Sequence, residues 1–127
     1  MPVSFQPYIF DSDRAGFIIP AVARGNDYFA LCVSNANACD VLHALGLRCE
    51  PDGILAFEAF SGLVTASLRR HLGHRSPALP AAQHSSRGEM TTIFLGRAEG
   101  YIERRLYDLA ELIQRSRALN PTHFGWG

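Results

Sequence analysis

An apolar run that ends in a cluster of helix-capping side chains constrains this chain more than any other stretch. Tyr28 to Val33 is apolar and β-prone, and Ser34, Asn35 and Asn37 follow at once. Ser and Asn oxygens accept hydrogen bonds from the N–H groups left free in a helix's first turn, so strand gives way to helix here. Ala38, Val41, Leu42 and Leu45 then recur at helical spacing. Gly46 can take the left-handed conformation that ends helices, and Leu47 can pack back on the last turn. The spacing predicts a helix over residues 36–45.

Such a junction is also where anions bind, because free N–H groups and the helix dipole point at one spot. Ser34, Asn35 and Asn37 are therefore candidate ligand-binding residues. Capping alone accounts for the same side chains, and neither a Gly-rich turn nor a Lys accompanies them. A second junction, Gly96-Arg97-Ala98-Glu99-Gly100-Tyr101, adds Arg97 and Tyr101 to the candidate set. It lacks the G-x-G-x-x-G dinucleotide pattern. The two junctions form one pocket only if their strands are neighbours.

The rest of the chain is read outward from these points. Val3 to Phe10 predicts a strand, which Pro7 pushes toward an edge or an irregular start. Phe17–Ala23 and Tyr28–Val33 flank Gly25-Asn26 and predict a hairpin with Val22 opposite Phe29 and Ile18 opposite Val33. Both its faces are apolar, which calls for cover on both sides, by the domain itself or by a partner chain, a hint of self-association. Arg48 to Gly53 is expected to be a loop. Phe57, Phe60, Val64, Leu68 and Leu72 predict a helix over 56–72, ended by Gly73. Gly73 to Gly88 predicts a long loop, flexible over about 73–89. Met90–Leu95 predicts a strand. Ile102, Leu106, Leu109, Leu112 and Ile113 predict a helix over 98–118, stopped by Asn120-Pro121. Thr122–Trp126 is a final strand or a packed tail. The implied fold class is α+β: one domain spanning 1–127, a mostly antiparallel sheet of four to five strands, and three helices mainly on one face.

Potential chemistry is sparse. Cys39 and His43 lie four residues apart on one helix side, the spacing of a thiol and its base. No nucleophile motif surrounds them, and a small buried Cys is an ordinary core residue. His71, His74 and His84 are weak metal candidates, since the helix that would align the first two is expected to end at Gly73. Arg69, Arg70, Arg75 and Arg87 make one region basic without an aromatic platform for bases. Acidic and basic residues balance at 12 each, so neither nucleic acid nor an anionic membrane is expected as a partner. All the basic residues are Arg, a hint of a GC-rich bacterial genome. Met1–Phe10 has no signal-peptide character, and no apolar run is long enough to span a bilayer. Cys32, Cys39 and Cys49 match no zinc spacing. Reduced thiols in the cytoplasm are the expectation, and an internal disulfide is open but unsupported. No cofactor is expected.

Val33-Ser34-Asn35-Ala36-Asn37-Ala38 with Leu45-Gly46-Leu47, taken together with Gly96-Arg97, Glu99-Gly100-Tyr101 and Arg105-Leu106, resembles a pattern in a family of small uncharacterised bacterial proteins. The resemblance covers about half the chain. It implies a bacterial, single-domain setting and no residue roles. The residues thus lead to a non-enzymatic cytoplasmic protein-interaction domain, self-associating as a homodimer. The alternative is a small-molecule or anion-binding protein, or an enzyme, that uses the strand-to-helix junctions at residues 34–37 and 96–101.

Overall fold

The computed structural model describes residues 2–80, 82–86, 90–94 and 96–127, with the backbone alone for 82–86 and 90–94. Its axis is β1 (Pro2–Asp11). β2 (Gly16–Ile18), β3 (Leu31–Ser34) and β7 (His123–Trp126) all pair with β1 antiparallel, and β4 (Gly53–Ala56) extends the sheet beyond β7. This is a five-stranded antiparallel sheet with three helices, the α+β architecture expected.

β1 is central rather than at the edge, and the backbone shows how Pro7 is tolerated. Ser4 and Gly127 exchange N–H···O bonds of 2.9 and 3.1 Å. By alternation, Ser4, Gln6 and Tyr8 turn their N–H groups toward β7, and Pro7 faces the opposite edge. There it falls in the gap between the Phe5–Leu31 and Ile9–Ile18 pairs. The missing donor interrupts no ladder bond.

That gap also marks the failure of the predicted hairpin. β2 and β3 do not pair with each other; both pair with β1, and residues 19–30 leave the sheet between them. Two short 3-10 turns, Ala21–Ala23 and Asp27–Phe29, occupy the intervening chain. Pro20 precedes the first turn, and the Asn26 side chain caps the second by accepting from Tyr28 N at 3.0 Å. This local capping overrides the β propensity of the flanking apolar residues. Val22 and Tyr28 are exposed as a result.

The helices are α1 (Asn35–Ala44), α2 (Phe57–Arg70) and α3 (Tyr101–Ser116). Their apolar stripes meet one sheet face, formed by Val3, Phe5, Val33, Phe124 and Trp126. α3 contacts both other helices. Phe60 of α2 lies 4.6 Å from Phe124 and 6.3 Å from Trp126, ring centre to ring centre. Trp126 closes over Gly53: a Cβ there would sit 2.2 Å from the indole. The expected loop at residues 48–53 therefore ends in a strand start, because only glycine leaves room for this ring.

Ala82–Ser86 (β5) and Met90–Phe94 (β6) form a separate two-stranded ribbon, so the loop expected from Gly73 to Gly88 is shorter than predicted. Leu95, Arg87 and Gly88 lie outside the described residues. Among those described, no helix is long and apolar enough to cross a membrane.

Candidate functional site

The two strand-to-helix junctions do lie side by side. Leu79 and Arg97 exchange backbone bonds of 3.0 and 2.9 Å, and Arg97 reaches the start of α1 through its side chain. Its guanidinium Nη1 donates to Asp40 Oδ2 at 2.5 Å and to Asn37 Oδ1 at 3.4 Å. The Arg97 side chain is only 9% exposed, whereas Asp40 is 45% exposed. The positive charge is thus already neutralised by a carboxylate, an arrangement that ties residues 97–100 to α1 rather than presenting a cation to a ligand.

The five candidate ligand residues divide accordingly. Asn37 and Arg97 meet. Ser34 and Asn35 are exposed at the head of α1, and Ser34 makes no side-chain cap, contrary to the expectation for this junction. Buried Asn37 turns to Arg97. Tyr101, partly buried, lies beneath the Arg105 guanidinium at 5.1 Å. Asp40 was missed, because its partner is 57 residues away in sequence; an isolated acid in the first turns of α1 was the one available signal.

Cys39 is bonded to Cys49, with Cα atoms 4.8 Å apart. This corrects the expectation of reduced thiols and removes Cys39 as a partner for His43, which is exposed. Cys32 is free and exposed. His71 Nδ1 lies 2.7 Å from Ser67 O, and the His71 and His74 rings stand 5.8 Å apart. The His84 side chain lies outside the described residues. Among those described, no three His, Cys, Asp or Glu side chains are grouped to hold a metal. Of the basic cluster, Arg70 is used structurally: with Ser67 Oγ it donates to Ala44 O, at 3.0 and 2.7 Å, and closes the end of α1.

The strongest surface feature is the sheet face turned away from the helices. Alternation along β1 places Ser4, Gln6, Tyr8 and Phe10 there. The register adds Cys32 opposite Ser4, His123 opposite Tyr8, Phe17 opposite Phe10, and Ile54 beyond Gly125. Phe10 and Phe17 are 48% and 43% exposed. Their rings meet edge to face at 5.4 Å, and Phe17 meets His123 at 4.5 Å. No Asp, Glu or Arg stands on this face at any of these paired positions. None of the described helices covers it.

No family model, curated protein or solved structure matches this chain. The alternation of Ser4, Gln6 and Tyr8 with Val3, Phe5 and Pro7 was the sequence signal for this face. It was obscured because Pro7 pointed to an edge strand.

Proposed function

We propose that this chain is a non-enzymatic protein-interaction domain that self-associates through its open sheet face. The carrying observation is that face itself: it has no Asp, Glu or Arg at its paired positions, and Tyr8, Phe10, Phe17 and His123 adjoin one another on it and are partly exposed. A second copy is the occupant that suits it. In a two-fold interface each residue meets its own surroundings, so a charged patch repels itself and an uncharged one does not. Two such sheets stack about 10 Å apart as a sandwich.

At roughly 16 Å² per strand residue, from the usual rise and strand spacing, the face presents on the order of 400 Å². Two copies together bury less than the ~1,200 Å² of a standard interface, so the homodimer is a weak one with a micromolar constant. Sedimentation velocity between about 1 and 500 µM spans that range. The expected result is a concentration-dependent dimer that Phe17→Arg abolishes without changing the circular dichroism spectrum. A monomer throughout, or a dimer indifferent to Phe17→Arg, sinks the reading.

A second reading keeps the anion or small-molecule site at residues 34–37 and 96–101, favoured by the meeting of Arg97 with Asn37. It requires the ligand to displace Asp40, so Asp40→Asn raises anion affinity if the site is real. We also propose a cytoplasmic setting, in which the Cys39–Cys49 bond of the structure would be exposed to reduction. Alkylation of protein taken directly from cells, followed by mass spectrometry, reads that state.

A further inference from the structure

A second concavity, remote in sequence from the open-face strands, lies between the end of α2 and the start of α3. Its volume is about 500 Å³, and its walls include His71, His74, Arg75, Glu103, Arg104 and Tyr107. That size suits a small molecule.

The local fold explains how Glu103 comes to be there. Gly100, at the head of α3, has no side chain to cap the helix, and Ser76 supplies the cap from another segment. Ser76 Oγ accepts from Ile102 N at 3.3 Å, Ser76 O accepts from Gly100 N at 2.9 Å, and Glu103 Oε1 accepts from Ser76 N. This is a capping box divided between two stretches of chain. It holds Glu103 at 9% exposure. The second carboxylate oxygen, Oε2, is buried and has no hydrogen-bond partner among the described residues. Folded proteins rarely leave such an atom unanswered.

Charge of the opposite sign stands nearby without a partner. Neither Arg75 nor Arg104 makes an ion pair among the described residues. His71 Nδ1 faces Ser67 O, which can only accept. Nδ1 is therefore the donor of this contact. The cleft combines two exposed guanidinium groups, Arg75 and Arg104, with two carboxylates, exposed Glu99 and buried Glu103, and only Glu103 Oε2 is a buried atom without a donor among the described residues.

We propose that this cleft binds a small zwitterion of the α-amino-acid type. The ligand carboxylate meets Arg75 and Arg104, its ammonium meets Glu103 Oε2, and Tyr107 forms an aromatic wall for the side chain. Planar guanidinium groups match a carboxylate in two-point fashion. The proposal is independent of self-association.

The test titrates the full chain with L-alanine and L-leucine and follows backbone amide NMR shifts. N-acetyl-L-alanine, which lacks the ammonium, L-alanine amide, which lacks the carboxylate, and inorganic phosphate are the comparison probes. Saturable shifts confined to residues 71–76 and 99–107 are expected for the free amino acids. Binding of at least about tenfold lower affinity is expected for each of the other probes. Arg104→Ala and Glu103→Gln should each weaken binding about tenfold or more. Gln keeps an acceptor for Ser76 N but offers the ligand an amide donor. Should that variant unfold, Arg75→Ala and Arg104→Ala decide alone. The proposal is overturned by the absence of saturable shifts up to about 20 mM amino acid. Equal binding of the acetylated or amidated forms, or phosphate binding as tightly as the zwitterions, overturns it too.

Discussion

Replacing Gly53 by Ala is the most exacting check on the packing of this sheet. Three indole atoms of Trp126 lie 2.2, 2.5 and 2.8 Å from where the new Cβ would stand. The ring has little freedom to withdraw. It is 7% exposed, has Phe5 and Phe60 at 6.4 and 6.3 Å, and donates through Nε1 to Glu50 O at 3.1 Å. Overpacking of this kind costs about 1–3 kcal/mol. Losing the indole hydrogen bond adds about 1 kcal/mol. The expected loss is therefore about 2–4 kcal/mol, or a Tm lower by about 8–15 °C for a chain of this length. Urea unfolding followed by far-UV circular dichroism measures it. Trp126 is the single tryptophan, so a red-shifted native emission in Gly53→Ala would report the displaced ring directly. The same substitution made in a Trp126→Leu background isolates the cause. There the clash is gone, and Gly53→Ala should cost less than about 1 kcal/mol. An equal cost in both backgrounds refutes the reasoning, since the loss would then come from the backbone and not from the ring.

Two further outcomes are expected. Removing the Cys39–Cys49 bridge, which spans a sequence separation of 10, should cost about 2.5–3 kcal/mol by the chain-entropy argument; comparing urea midpoints of Cys39→Ser/Cys49→Ser with those of the wild type, with and without reductant, checks it. Asp40→Ala should cost about 1 kcal/mol, the modest value reflecting the 45% exposure of Asp40, because it leaves the buried Arg97 guanidinium without its carboxylate. A Tm measurement that also includes Arg97→Ala and the double variant should show the two losses to be less than additive.

The helices were legible because each carries its own apolar stripe. Val41, Leu42 and Leu45, then Phe57, Phe60 and Val64, then Leu106, Leu109 and Leu112 are all buried, as their spacing demanded. Strand partners were not legible in the same way. Nothing local tells Leu31–Ser34 to pair with Pro2–Phe5 rather than with Phe17–Ala23; the choice follows from Pro20 and Asn26, which turn the intervening chain into two short helical turns. β4 was hidden because four residues, Gly53–Ala56, run without a break into α2. The candidate site was half visible. That Arg97 and Asn37 could meet was posed only as a condition for a shared pocket; Asp40, the nearer partner of Arg97, was not foreseen, and the cap that Ser76 lends to α3 crosses 26 residues. Polar partnerships over such distances leave no periodicity to read.

β7 is made after every other element described, yet it occupies the middle of the sheet, between β1 and β4. Until residues 123–126 leave the ribosome, β1 and β4 each present a bare edge, and Phe60 lacks both Phe124 and Trp126. Helical segments can form as the chain emerges, but the sheet can close only in one late event that joins strands more than a hundred residues apart. A chain cut short of His123 would thus carry unpaired strand edges and an uncovered aromatic core, the two features that turn a nascent domain toward aggregation.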